Sequence, residues 1–311
     1  MAHYVPDVRT KRWVIISPQR AKRPDQVSHQ APKAEITTKA DYNFLSTCPF
    51  CLGNENQTPP EISRTVKSSG KYIQIDKPKN GPDPPWLIRT VPNKYPITDF
   101  HEVIIHSPDH LKDITEFDIQ HVELLIKTYR SRYQANKGFG NVIIFNNKGD
   151  ESGESLIHPH SQLVVIPTQI KMDILSLEPV ENIVQDNDHF VVYCPDFSQW
   201  PLEVWIALKS SFQTNNQLTF DQITDNQLVD LANILKSTLL KMNSFINLTK
   251  FAKDQKQDSF SYNFYISPGP NWYLRIIPRF VKRAGFELGT GLSVNTIDPK
   301  TASNQLKNIS I

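Results

Sequence analysis

The sequence predicts an α+β fold of two successive halves, each an antiparallel sheet with a packed helix. Three observations carry this expectation. The order strand, strand, long helix, strand, loop, strand occurs twice, offset by roughly a hundred residues, as a diverged internal duplication would leave it. Two long stretches carry a helical apolar period. The segments between them are short, rich in β-branched residues and closed by turn residues. The halves are expected at residues 1–170 and 171–311.

KRWVIISP (Lys11–Pro18) reads as a β-branched strand, and a polar segment without clear period follows over about residues 19–45. CPFCLGNENQTPPEI comes next, then a loop rich in Pro, Lys and Gly through KPKNGPDPPW. WLIRTVPNKYP and HEVIIHSPDH read as short strands ending in turns. Between Thr115 and Asn136 the residues Ile119, Val122, Leu125, Ile126, Tyr129 and Tyr133 fall at helical spacing, with Thr115 as the expected cap. NVIIFNN and SQLVVIP are two more strands, joined by KGDESGESLIHPH.

The second half repeats this order. HFVVYCPDFSQWP and LEVWIALKS read as strands. Thr224 and Gln227 form a capping-box pattern ahead of Leu228, Leu231, Ala232, Leu235, Leu239 and Met242. YNFYISP and WYLRIIP complete the set. The two copies differ in chemistry. Where the first has HPHSQLVVIP the second has NWYLRIIPRF, without histidine, so a single active centre is expected in the first half.

Bulk properties narrow the function classes. With 39% hydrophobic and 21% charged residues, the chain has the composition of a soluble protein with a substantial core. A net charge of +2 gives no long-range reason to expect nucleic acid or an anionic membrane as partner. No apolar run is long enough to span a bilayer, and the N-terminus lacks the layout of a signal peptide. Three cysteines, two of them as CxxC, do not make a disulfide scaffold. A cytoplasmic setting is expected, with the thiols free for a metal.

In CPFC the two-residue gap lets Cys48 and Cys51 turn onto one ion, and zinc then needs two further ligands, commonly histidines. Candidates are His101, His106, His110 and His158. In HPH, Pro159 favours an extended backbone, so His158 and His160 are expected on one side of a strand. One can hold a metal while the next stands beside it. The preceding loop offers Asn146, Asn147, Gly149, Ser152, Gly153 and Ser155, whose N–H and hydroxyl groups suit a phosphate. Gln162 adds an amide donor on the same face. Together these suggest a histidine attacking phosphorus, because imidazole is largely neutral at physiological pH and needs no separate base. The carbonyl of His158 is expected to orient the other ring nitrogen of His160.

CPFCLGNENQTPPEI, VPNKYP, SPDH, NNKG…GESLIHPHSQ and AGFELGTG, in that order and over most of the chain, resemble the galactose-1-phosphate uridylyltransferase family of the histidine-triad superfamily. The resemblance implies two histidine-triad-like halves, the second degenerate. It implies one structural zinc on Cys48, Cys51, His110 and His158, with His160 as nucleophile and Gln162 hydrogen-bonding the transferred phosphoryl group. Asn147, Gly153 and Ser155 would line the phosphate site, and Arg20 and Arg23 match basic residues near the substrate phosphates. Asn93 matches a nucleotide contact and Glu287 a contact to sugar hydroxyls.

The family's second metal site uses paired histidines. Here that strand reads Arg275, Ile276, Ile277, so no second metal is expected. AGFELGTG and WYLRIIP look closer to the branch that includes ADP-glucose phosphorylases. The expected activity is ping-pong uridylyl transfer between UDP-glucose and a hexose 1-phosphate, in galactose metabolism. The alternatives are a nucleoside-diphosphosugar or dinucleotide phosphorylase using phosphate, and a zinc-stabilised nucleotide-binding protein without turnover. Hydrolytic members of the superfamily carry a third histidine where this chain has Gln162, which favours transfer over hydrolysis. The expected partners are a nucleotide sugar, a sugar 1-phosphate or phosphate, and a second copy of the chain.

Overall fold

The computed structural model of the protein describes residues 2–7, 12–23, 45–78, 81–82, 84–175, 180–209, 218–248 and 260–311. Most of the polar segment expected near residues 19–45 lies outside the described residues. The chain forms two compact units, one of residues 1–116, 131–146 and 154–174, the other of 117–130, 147–153 and 175–311. Each is a mixed structure of helices and antiparallel sheet.

In the first unit, β1 (His3–Pro6) and β2 (Trp13–Ile16) form a small antiparallel pair. The main sheet contains β3 (Ser63–Ser68), β4 (Lys71–Asp76), β5 (Trp86–Pro92), β6 (His101–Ile105), β7 (Asn141–Lys148) and β8 (His160–Ile166), in the order β4-β3-β5-β6-β8-β7. All its neighbours run antiparallel. Strand alternation gives β6 two roles. Its Glu102 is clamped by Arg132 at 2.8 and 2.6 Å and by Asn136 at 3.0 Å, both from the last turns of α1 (Ile119–Asn136). Its His101 and Val103 take the other face.

The β3–β4 hairpin falls where the sequence reading expects no strand. Almost all of β4 is solvent-exposed on both faces, so it carries no apolar alternation to read. The expected cap of α1 also needs correction. The carboxylate of Asp118, not the Thr115 hydroxyl, accepts the free N–H of His121 at 2.7 Å. Aspartate directly before the first helical residue outcompetes a threonine placed a turn too early.

In the second unit the sheet order is β12-β13-β11-β10-β9, again antiparallel, with β9 (Ile183–Asp186), β10 (Phe190–Tyr193), β11 (Val204–Leu208), β12 (Tyr262–Ile266) and β13 (Tyr273–Pro278). The capping box forms as the sequence predicts. Thr224 N–H donates to Gln227 Oε1 at 2.9 Å and Gln227 N–H to Thr224 Oγ1 at 3.2 Å. The helix it opens, α2 (Asp225–Leu248), buries Leu228, Leu231, Ala232, Leu235, Leu239 and Met242 and packs on β10. Two shorter helices follow, α3 (Gly285–Thr290) and α4 (Pro299–Lys307), the second packed on β9 and α2. Among the described residues no helix is long and apolar enough to cross a membrane.

The centre of this second sheet is filled by an ion pair and stacked aromatics. Arg275 on β13 reaches both oxygens of Glu203, at 2.7 and 2.8 Å. Glu203 also accepts from Trp205 Nε1 at 2.8 Å and from the Gln199 N–H at 3.0 Å. The ring of Tyr273 lies flat on Trp205, with centroids 3.9 Å apart. A buried pair is costly to break from one side, because the surviving charge is left without compensation. Arg275→Met is therefore expected to destabilise the protein by about 3–5 kcal/mol, read as a lower urea midpoint.

Candidate active site and metal centre

The CPFC turn and the start of β8 meet in the first unit. Cys48, Cys51, His110 and His158 are all buried, and one ligand atom from each lies within 4.8 Å of the other three. Cys51 Sγ is 3.3 Å from His110 Nδ1 and 3.6 Å from His158 Nδ1, and Cys48 Sγ is 3.7 Å from His158 Nδ1. Tetrahedral zinc with ordinary bond lengths spaces sulfur and nitrogen ligands by roughly 3.6 Å, so these residues fit such an ion. His158 Nε2–H donates to the Ser107 carbonyl at 2.8 Å, which fixes the tautomer and leaves Nδ1 as ligand. The two thiols hydrogen-bond each other, which holds Cys51 low and Cys48 high, as two sulfurs sharing one proton do; a bound cation would take both as thiolates. Of the four histidines open on sequence grounds, His110 and His158 join the cluster. His106 instead meets Ser161 Oγ at 2.8 Å, and His101 turns to Gln162.

β8 begins at His160, so His158 lies just ahead of the strand rather than within it. His160 Nδ1–H donates to the carbonyl of His158 at 2.8 Å. That bond forces the lone pair of the ring onto Nε2. The Phe50 ring of CPFC stands edge-on to both imidazoles, with centroids 6.0 Å from His158 and 5.3 Å from His160. Asn146 donates to the His160 carbonyl at 2.8 Å, so its amide holds the strand start rather than serving the loop.

His160 lines a cleft in the first unit. Gln162, Asn93, Ser155 and Arg23 line the same cleft, with Phe50, Val91 and Leu156 as apolar wall. Gln57 and Thr58, just after CPFC, also line it and were not singled out by the sequence. Arg23 Nε donates to Ser155 Oγ at 2.5 Å. Arg20 donates to the Tyr95 carbonyl at 3.0 Å. Burial, and then the charge of Arg23, lower the Arg20 guanidinium to about 10, so it keeps its charge at neutral pH. Two crowded guanidinium groups make a favourable field for an anion.

Asn147, Gly153 and Glu287 belong to the second unit. Asn147 Oδ1 accepts from Asn263 Nδ2 at 2.8 Å, and Gly153 adopts a left-handed backbone with φ 78°. Gly149 in the same loop must be glycine. Its φ is 86°, and a Cβ there would meet Ser261 Oγ at 2.3 Å. Glu287 caps its own helix, accepting the Ala284 N–H at 3.0 Å.

The first unit thus sets a buried Cys2His2 cluster beside a cleft histidine on an antiparallel sheet. The family model described as galactose-1-phosphate uridyl transferase, N-terminal domain, matches residues 3–166, and the chain belongs to that family. It is a nucleotidyltransferase. It is 25% identical to an ADP-glucose phosphorylase of Arabidopsis thaliana, over 98% of this chain and 92% of that one. It is 24% identical to a galactose-1-phosphate uridylyltransferase of Thermotoga maritima, over 96% and 95%. The crystal structure of an Arabidopsis thaliana ADP-glucose phosphorylase with bound ADP-glucose covers all of both chains, at 25% identity and a TM-score of 0.66.

If the cluster carries zinc, the ion ties the CPFC turn to the start of β8 and stabilises the fold. Chelation is then expected to release one metal equivalent per chain and to lower stability by about 4 kcal/mol where the metal stood at a thousandfold excess over its Kd. Cys51→Ser is expected to reproduce both effects, read by metal analysis and thermal unfolding.

Proposed function

We propose that the protein transfers a nucleotidyl group by a ping-pong route through His160, with UDP-glucose and a hexose 1-phosphate as the substrates. The observation that carries this reading is the 2.8 Å bond from His160 Nδ1 to the His158 carbonyl, which points the unprotonated Nε2 toward chemistry in the cleft. In the first step Nε2 attacks the α-phosphorus. An N–P bond forms, the P–O bond to hexose 1-phosphate breaks, and the leaving group takes the electron pair as a phosphate oxygen. The positive charge on the ring is stabilised by the His158 carbonyl. In the second step an oxygen of the acceptor phosphate attacks, and the N–P pair returns to Nε2. The amide of Gln162 and the guanidinium of Arg23 would hold the phosphoryl oxygens, with Arg20 and Ser155 beside them. Asn93 would contact the nucleotide.

A second reading, ADP-glucose-type phosphorolysis with inorganic phosphate as acceptor, is favoured by the Arabidopsis relative, which matches nearly the full chain. Both readings share the histidine intermediate. We further read the chain as a duplication, 1–170 and 171–311, with a degenerate second half, acting in the cytoplasm as a homodimer with one zinc per chain. The sheet orders support the duplication. β5-β6-β8-β7 and β10-β11-β13-β12 are the same arrangement in chain order, each with its long helix after the second strand.

Incubation with α-labelled UDP-glucose or ADP-glucose is expected to leave an acid-labile, base-stable label on the protein. His160→Asn should lose it, with turnover reduced at least ~10⁴-fold. Label retained by His160→Asn would remove the nucleophile. Offering galactose 1-phosphate or inorganic phosphate to the labelled enzyme separates the two readings by which one discharges it.

A further inference from the structure

His101 opens β6, two residues before the cleft-lining Val103, and is only 5% exposed. Its ring is held at both nitrogens. Nδ1 accepts the backbone N–H of Ile97 at 2.9 Å. That donor leaves the ring proton on Nε2, which stands 3.0 Å from Gln162 Oε1. Asn93 completes the arrangement. Its Oδ1 accepts the Tyr95 N–H at 2.8 Å, so its Nδ2 is the outward end, 3.5 Å from the same Gln162 oxygen. Asn93 Nδ2 also stands 3.1 Å from His101 Nε2, and since that nitrogen carries the ring proton the two sit side by side as donors toward Oε1 of Gln162, leaving the nitrogen end of that amide to the cleft.

We propose that His101 is a positioning residue: it fixes the Gln162 amide with its oxygen turned inward, so that the N–H groups face the phosphoryl group. This rests on the reading of Gln162 as the phosphoryl contact. An amide free to flip would present its oxygen to an anion half of the time and repel it. Preorganised donors aid phosphoryl transfer because they need no reorientation as charge develops. The ring must stay neutral for this geometry, since a second proton on Nδ1 would oppose the Ile97 N–H. Burial first, and then the charge of Arg20, hold His101 down to about 3. The signal was absent from the sequence, where His101 was one of four possible zinc ligands.

The test is a double-mutant cycle on the rate of His160 labelling in a single turnover, using whichever of UDP-glucose and ADP-glucose labels the wild type. His101→Phe is expected to slow labelling by about 10- to 100-fold, the range for outer partners of a site, with the nucleotide-sugar Kd changed much less. His101→Gln, which can restore a donor, should recover most of the loss. In the Gln162→Ala background, His101→Phe should cost little more, because the group it orients is gone. An equal cost in both backgrounds, or a loss confined to Kd, overturns the proposal. So does a normal rate in His101→Phe while Gln162→Ala is slow. A normal rate in Gln162→Ala sinks the Gln162 reading itself, and the proposal with it. Should His101→Phe lose its metal or its cooperative unfolding, His101→Asn carries the same cycle, because its amide falls short of Gln162.

Discussion

His158 is held from three sides, and the site is built outward from that constraint. Its Nδ1 stands among the two thiols and its Nε2–H is taken by the Ser107 carbonyl. Its own carbonyl accepts the ring proton of His160. A ring pinned at both nitrogens does not rotate, so the carbonyl next to it is a fixed acceptor. That carbonyl sets the tautomer of His160, and the tautomer decides which nitrogen can act as a nucleophile. Phe50, inside CPFC, packs on both rings and closes the unit. Two thiolates in a dry core would be costly without a cation to compensate them. Cys48 and Cys51 share one core with Trp86, Val91, Val103 and Ile105, so the cluster packs directly on the strands that shape the cleft.

Much of this was legible along the chain because the determinants are local. CPFC and HPHSQ each fall within five residues, and their spacing alone restricts what the side chains can reach. The α2 capping box, with both of its hydrogen bonds, is equally local. What escaped is set by register rather than by spacing. His101 and Gln162 are 61 positions apart and meet because Val103 pairs with Gln162 across β6 and β8, which brings His101 in diagonally on the same face. No single-sequence pattern encodes that pairing. The edge strand β4 escaped for a different reason. It buries no face, so nothing in its composition separates it from a polar loop.

The two units use corresponding positions in opposite ways. Aligning HPHSQ with NWYLR sets Tyr273 where His160 stands and Arg275 where Gln162 stands. Tyr273 stacks on Trp205 and donates its hydroxyl to the Leu175 carbonyl at 2.8 Å, while Arg275 is consumed by Glu203. Groups that would face a substrate in one unit are turned into packing in the other. Burial pushes the Tyr273 phenol far above its ordinary range. If the second unit is a duplicate as proposed, it would have kept the sheet and abandoned the chemistry.

The side chain at position 162 also bears on which acceptors the site can serve. An amide can hold a phosphoryl oxygen, but it has no proton to give to a departing oxygen or to take from an attacking one. Transfer through His160, as proposed, would therefore be easiest when the attacking and departing groups are phosphates, which offer an unprotonated oxygen near neutral pH. Hexose 1-phosphate and inorganic phosphate both meet that condition. Water and simple alcohols do not, because they need a base as they attack or an acid as they leave. The anionic partners are also what the paired guanidinium groups of Arg20 and Arg23 would draw in. On this argument the choice between uridylyl transfer and phosphorolysis is made elsewhere in the site, by whatever reads the sugar and the base. If Gln162 holds the phosphoryl group as proposed, a restriction to phosphate acceptors would lie in that glutamine and in the histidine proposed to orient it.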